Sequence, residues 1–264
     1  LGTYYVVEKD AGDHVLVLDA EKHEVELKYK DQHTAIVAEK ISLQNKRQRV
    51  DLELLKNAEI FNIEIGEFEL HPAGEGFVFG VYANQDIADY ESNTVIHKDD
   101  LIATIITDKD GKAKILDDSL PLALLYVKEL KAPSEGWDIP DTQYDVDATY
   151  TDQTLPSIEV VVNDGKAIVN KLLRKQIKYI KLDERDRERG LEGSVLEIRD
   201  VEGNVVATIT TDENGVATSG ELPYGDYELE EIKPPKGFAL DGEKKTVTLS
   251  DEGDEVVVYE KTNK

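Results

Sequence analysis

The chain has 264 residues, 40% of them apolar and 33% charged, with a net charge of −25. The apolar share supports packed cores, while the negative charge disfavours binding to nucleic acid or to an anionic membrane surface. Cysteine is absent, which excludes disulfides and thiolate metal sites, and no apolar run is long enough to cross a bilayer as a helix. Methionine is absent too, initiator included, so a processed product or a piece of something longer is expected.

The chain opens on Leu1-Gly-Thr-Tyr-Tyr-Val-Val-Glu8, an apolar, strand-like run that ends on a glutamate. Glu24-Val-Glu-Leu-Lys-Tyr29 alternates with period two and predicts a half-buried strand. Asn45 and Lys56 follow, eleven residues apart. Ala103-Thr-Ile-Ile-Thr107 is a second alternating run, leading into Asp108-Lys-Asp-Gly111. Leu120-Pro121 then precedes Leu122-Ala-Leu-Leu-Tyr-Val-Lys-Glu129, a second copy of the opening block with Lys131-Ala-Pro133 as its turn. Asn170 and Lys181 repeat the eleven-residue spacing. Val205-Val-Ala-Thr-Ile-Thr210, the turn at Asp212-Glu-Asn-Gly215, Leu222-Pro223 and Tyr224-Gly-Asp-Tyr-Glu-Leu-Glu-Glu231 give the order a third time. The strand Lys245-Thr-Val-Thr-Leu249 and Asn263 complete it.

Self-similarity at fixed offsets is the mark of tandem modules. Short alternating strands without helical periodicity predict an all-β fold of sandwich modules. The repeat sets the boundaries: 1–49 is the back half of a module, 50–173 a complete one and 174–264 a compact one. The second carries extra sequence, predicted as loops at 57–75 and 84–100. Asp110-Gly111 and Asn214-Gly215 predict type I′ hairpin turns, with positive φ at both central residues. Each module tends to offer a lysine early, a glutamate in the middle and an asparagine late.

Tyr227-Glu-Leu-Glu-Glu231-Ile-Lys-Pro-Pro-Lys-Gly-Phe238 resembles the E-box of Cna-B-type domains, also called SpaA-like or prealbumin-like, of Gram-positive pilins and surface adhesins. Gly193-Ser-Val-Leu-Glu-Ile198 and Thr211-Asp-Glu-Asn-Gly215 are similar to that family's early-strand and hairpin motifs. The resemblance covers nearly all of 174–264, most of 50–173 and the remnant 1–49. It implies tandem prealbumin-like β-sandwiches, the first incomplete, in which a lysine on the first strand and an asparagine on the last join in an intramolecular isopeptide bond promoted by the E-box glutamate. By position it assigns Lys56, Glu129 and Asn170 to the second module, and Lys181, Glu231 and Asn263 to the third. The first keeps Glu8 and Asn45, with a partner lysine outside this chain or from a neighbour, the region of Lys264 being the nearest candidate. Two departures stand out: Lys56 is followed by Asn57-Ala58 where Leu182-Asp183 follows Lys181, and Ala123 stands where Gly2 and Gly225 do.

These residue types suit that chemistry. A lysine amine is nucleophilic only when neutral, and burial lowers its pKa. Burial raises that of a carboxyl, so the glutamate is expected to hydrogen-bond the asparagine carbonyl oxygen and then move protons as ammonia leaves. Such a site acts once, on itself, and is not an enzyme in the usual sense. No cofactor or metal is implied: Asp108-Lys-Asp-Gly111 opens like a calcium loop but has Ser119 where the bidentate glutamate belongs, and His14, His23, His33, His71 and His97 show no close pairing. The resemblance further implies a wall-anchored shaft outside a Gram-positive cell, a pilin backbone or an adhesin stalk, with sortase acting in assembly and other copies as partners. The alternative is a binding module that uses 57–75 and 84–100 against a host or matrix ligand.

Overall fold

The structure is a computed structural model that describes all residues except His14, Ala35, Tyr90 and Lys264. The proposals touching His14 and Lys264, and the aromatic Tyr90, lie outside the described residues. Among those residues the chain is all β, with a single 3-10 turn at Val162–Gly165 and no α-helix. Two short strands come first, β1 (Gly2–Val6) and β2 (His23–Leu27). The long β3 (Arg49–Asn62) folds back on β4 (Glu67–Pro72). Then come β5 (Val78–Ala83), β6 (Ile87–Ala88), β7 (Thr94–Ile96), β8 (Leu101–Ile106), β9 (Lys112–Ile115) and β10 (Leu124–Lys131). β11 (Trp137–Asp138), β12 (Tyr144–Asp147), β13 (Ser157–Val161) and β14 (Ile168–Leu172) follow. The remainder holds β15 (Arg174–Asp183), β16 (Val195–Arg199), β17 (Val205–Thr210), β18 (Val216–Thr218), β19 (Leu222–Pro223), β20 (Gly225–Lys233), β21 (Lys245–Leu249) and β22 (Val256–Asn263).

Contacts divide the chain into two compact units, one of Leu1–Leu55, Gly74–Lys131 and Asp141–Ile168, the other of Lys56–Ala73, Ala132–Pro140 and Val169–Lys264. In the first, a four-stranded sheet runs β12-β10-β5-β8. The early part of β3 pairs there with β13 in parallel and with β9 antiparallel. Its inward residues Val50, Leu52 and Leu54 are fully buried, as are Phe79, Val81, Leu125 and Val127 of the four-stranded sheet. In the second unit a four-stranded sheet runs β17-β16-β20-β21, the same order of equivalent strands. β15 pairs there with β22 in parallel and with β18 antiparallel. Ile177, Tyr179, Leu196, Ile198, Leu229 and Leu249 form the centre of its core. The two-residue period of a strand puts every second side chain inward, and β15 follows it from Lys175 through Ile177, Tyr179 and Lys181 to Asp183.

Two sequence expectations change. The turns at Asp110-Gly111 and Asn214-Gly215 are not type I′, because only Gly111 (φ 71°) and Gly215 (φ 74°) have positive φ. The Asp108 carboxylate takes the amides of Asp110 and Lys112, and Asp212 takes those of Asn214 and Val216, so an aspartate clasp and one left-handed glycine close each turn. The extra segments are also not plain loops. Residues 57–72 lengthen β3 and pair it with β4 from Asn57↔Pro72 to Asn62↔Glu67, and 84–100 carries the small β6–β7 ribbon. Cross-strand contact of Phe61 with Phe68, ring centroids 5.0 Å apart, and Arg174 over the Phe68 ring at 3.8 Å hold the longer hairpin.

The first 48 residues add the β1–β2 ribbon to the first unit. Their anchor is Gln48, 2% exposed, whose amide donates to the carbonyls of Asp152 and Leu155 at 2.9 and 2.8 Å.

Candidate functional site

One of the predicted groupings lies inside the second unit. Lys181 is the fourth inward residue of β15, in phase with Ile177 and Tyr179. Its backbone is fixed by Gly215, whose carbonyl accepts from Lys181 N at 2.7 Å, and by Leu191 N, which donates to Lys181 O at 2.8 Å. A side chain at position 215 would put its Cβ 2.3 Å from Lys181 O, so this approach requires glycine. Asn263 is the last inward residue of β22, and parallel pairing sets it opposite Asp183, two residues beyond Lys181. Glu231 reaches the same place from β20, where it faces Leu196. Lys181, Glu231 and Asn263 are 0%, 1% and 3% exposed.

Glu231 is the hub. Its Oε1 lies 3.0 Å from Lys181 Nζ and accepts from Ser194 Oγ at 2.7 Å. Its Oε2 accepts from the Asp241 amide at 3.2 Å. Asn263 Nδ2 lies 3.3 Å from both carboxyl oxygens and donates also to Ala239 O at 3.1 Å. Tyr179 OH extends the chain through Ser194 at 3.2 Å. Among the described residues, in contrast, Lys181 Nζ has no acceptor in hydrogen-bond geometry and Asn263 Oδ1 has no partner. Burial pushes the Lys181 amine below the ordinary lysine value; Glu231 opposes that shift and the nearby Lys261 charge adds to it. Burial likewise holds the Tyr179 phenol well above its usual value, so it stays a neutral donor.

The carbonyl oxygen of Asn263 was expected to face the glutamate, but its amide nitrogen does. Ala239 O claims the N–H on the same side, and turning the amide over would press Oδ1 against that carbonyl. A carboxylate set between an amine and an amide nitrogen can take a proton from the first and give it to the second.

Lys56 and Asn170 also meet. Lys56, 1% exposed, is the inward residue after Leu54 on β3, and its Nζ donates to Oδ1 of the fully buried Asn170 on β14 in a short contact. Both belong to the second unit. Glu129 belongs to the first, 6% exposed on β10 opposite Phe79. Thus Phe79 and Leu196 stand at equivalent positions.

Glu8 and Asn45 form the third grouping, in the first unit. Asn45 Nδ2 donates to Glu8 Oε2 at 2.8 Å and to Val17 O at 3.2 Å, and the Asp19 amide donates to the same Glu8 oxygen at 2.7 Å. Asn45 lies outside any strand, unlike Asn170 and Asn263.

Sequence reasoning missed Ser194, Tyr179 and Lys261. The signal was a polar residue in phase with inward apolar ones: Ser194 before Leu196 and Ile198, and Lys261 after Val257 and Tyr259. Lys261 Nζ donates to the carbonyls of Asp241 and Glu243 at 3.1 and 3.0 Å, which fixes the segment that supplies Ala239 O and Asp241 N to the site. Asp19, Glu21 and His23 bring their ligand atoms within 4.8 Å of one another, and His23 Nε2 is hydrogen-bonded to Asp19 Oδ2 at 2.7 Å. Trp137, aligned with Phe238 by sequence, is half-buried on β11 and donates to Ser134 Oγ at 3.3 Å.

Residues 175–264 match the family model of the SpaA prealbumin-like fold domain. The C-terminal module is SpaA-like. Over 75 residues, 28% of this chain, the sequence is 32% identical to the trypsin-resistant surface T6 protein of Streptococcus pyogenes serotype M6. The whole chain overlays the structure of the Bacillus anthracis TIE protein with a TM-score of 0.69 at 22% identity, which shows a shared fold. The chain spans 14% of the T6 protein and 42% of the TIE chain.

Proposed function

We propose that this SpaA-like chain is part of an extracellular shaft, a pilin backbone or adhesin stalk of a Gram-positive surface, whose modules lock themselves with Lys–Asn isopeptide bonds. The three modules are 1–49, 50–173 and 174–264. The observation that carries the reading is the buried set formed by Lys181 and Asn263 on the neighbouring parallel strands β15 and β22 and by Glu231, which meets both from β20. The neutral Lys181 amine attacks Cγ of Asn263. Glu231 takes the proton from Nζ and delivers it to Nδ2, which leaves as ammonia, so one amide replaces another. Lys56 and Asn170 react in the same way, with Glu129 as the acid that the repeat assigns to them. Each site turns over once, needs no cofactor, and makes the protein a structural element rather than an enzyme. Sortase linkage to other copies fits this reading, and the similarity to the T6 surface protein supports the location.

The benefit is mechanical. The bonds would close loops of 114 residues and of about 80 residues, each worth about 4–5 kcal/mol by cross-link entropy. Under tension the load would pass through a covalent bridge between first and last strands instead of unzipping β15 from β22. Pulling the chain from its ends tests this. The 181–263 segment should contribute no extension, whereas unfolding it would add roughly 290 Å; release of that length in the wild-type chain refutes the reading.

A further inference from the structure

A cleft of about 630 Å³ opens in the second unit, beside the start of β20 and the end of β21. None of its lining residues belongs to the extra segments 57–75 and 84–100 or to the lysine–asparagine groupings. Backbone hydrogen bonds fix its walls. Leu173 N donates to Gly136 O at 2.8 Å and Tyr224 N to Leu173 O at 3.0 Å, which ties residues 134–136, the β14–β15 junction and the approach to β20 together. Half-buried Leu173 and Tyr224, with Leu249 at 1% exposed, give it an apolar lining. Glu135, Asp226 and Asp251 bring three exposed carboxylates to it, and among the described residues no lysine, arginine or histidine lines it. Asp226 Oδ1 accepts from Thr248 Oγ1 at 2.6 Å. The Glu135 and Asp251 carboxylates have no hydrogen bond or ion pair among the described residues. Buried Lys175 donates to Glu252 O at 2.9 Å and lies 5.7 Å from the centroid of the Tyr224 ring, so its ammonium holds the loop that carries Asp251.

We propose that this cleft receives an arginine side chain of a basic partner polypeptide. The site goes beyond the shaft reading and uses neither cross-link. Charge and shape choose the occupant. Ionised carboxylates only accept hydrogen bonds, so the ligand must bring the donors. The three acids are spread too widely for a single metal ion: among the described residues, the acidic or histidine cluster whose ligand atoms close on one point is Asp19, Glu21 and His23. A guanidinium carries five donors in a rigid plane and spans separated acceptors, where an ammonium is a compact point charge. Its methylene stem covers apolar surface while the charged head stays at the rim, which matches carboxylates set around Leu173, Tyr224 and Leu249. The volume lies in the range of clefts that enclose small ligands, so it also admits the residues flanking the arginine. The net charge of −25 draws a basic partner and repels an acidic one, a second copy of this chain included.

The test titrates the isotope-labelled full chain with the peptide acetyl-Gly-Gly-Arg-Gly-Gly-amide and follows backbone amide shifts by NMR. The expected result is a saturable shift confined to the amides around Gly136, Gly225, Thr248 and Asp251, with a Kd of about 1 mM. Emission of Trp137, the single tryptophan, which donates to Ser134 Oγ on the cleft wall, should follow the same isotherm. Affinity should fall roughly fivefold or more in the double variant Glu135→Gln, Asp251→Asn, whose unshifted spectrum elsewhere reports an intact fold. It should fall as far when citrulline, which keeps the shape and loses the charge, replaces arginine, and it should weaken as sodium chloride rises from about 0.05 to 0.5 M. Absence of shifts at about 10 mM peptide, equal binding by the double variant, or equal binding of the citrulline peptide overturns the inference. Shifts of the same amides by lactose or by calcium chloride, as large as those from the peptide, also overturn it, by making the cleft a sugar or a metal site.

Discussion

Lys56 and Lys181 are equally buried, yet they meet their asparagines differently. Lys56 holds the carbonyl oxygen of Asn170 directly, while Lys181 and Asn263 are each held by Glu231. The surroundings differ in the same sense. Phe77 N donates to Thr107 Oγ1 as Ser194 N donates to Thr211 Oγ1, so Phe77 stands where Ser194 does, and Leu54 stands where Tyr179 does. The C-terminal site has a line of hydroxyls behind its carboxylate, and the equivalent positions of the other module are apolar. The two sites thus differ in the groups that stand beside them: hydroxyls of Ser194 and Tyr179 at Lys181, and the apolar Phe77 and Leu54 at the equivalent positions near Lys56.

The largest effect is expected from removing the acid. Glu231→Ala should leave the C-terminal module folded, because its strands follow from apolar patterning, but unbonded, so that the mass deficit relative to the variant's own sequence falls by about 17 Da. Loss of about 4 kcal/mol from a module of this size lowers its melting midpoint by roughly 20 °C. Glu129→Ala should do the same for Lys56 and Asn170, and calorimetry with intact-mass measurement reads both. If Glu231→Ala keeps the cross-link, the hub is misassigned.

Ser194→Ala breaks the comparison at its polar end. It removes one hydrogen bond to the carboxylate, worth about 1.5–3 kcal/mol, so bond formation after refolding should slow by roughly ten- to a hundredfold at Lys181 and stay unchanged at Lys56. Time-resolved mass measurement on refolding separates the two rates. Equal slowing at both sites would mean that the serine acts through global folding.

A smaller effect concerns pH. In Asn263→Ala no bond can form, and Lys181 stays buried beside Glu231. Its folded pKa is lowered from 10.5, so the unfolded chain binds the proton more tightly and stability should rise with pH up to about that value. Denaturant titrations between neutral pH and 10 read the slope; a falling stability would mean that attraction to Glu231 outweighs burial. Lys261→Met should have the smallest effect, a modest slowing of bond formation, since the 239–243 segment loses the ammonium that ties two of its carbonyls.

Much of this was legible in the sequence. Strand alternation gave β2, β8, β17 and β21, and the repeated order of Lys, Glu and Asn pointed to Lys181, Glu231 and Asn263, which lie together, and to Lys56 and Asn170, which meet. A two-residue period carries facing directly, so a lysine in phase with Leu54 or Tyr179 is announced as inward. Other features depend on partners far away in sequence. The orientation of the Asn263 amide is decided by Ala239 O, 24 residues earlier on a segment without regular structure. The extra residues 57–72 read as a loop because Gly66 and a charged stretch interrupt the pattern, whereas pairing of Phe61 with Phe68 makes them a hairpin. The turns at Gly111 and Gly215 were misread because an aspartate three residues earlier, not the turn's central dipeptide, sets their geometry.

The central claim is covalent, and mass tests it most directly. The intact chain should weigh about 34 Da less than its sequence, with digestion yielding two branched peptides, Lys56 joined to Asn170 and Lys181 joined to Asn263. A mass equal to that of the unmodified sequence would contradict the account at both sites.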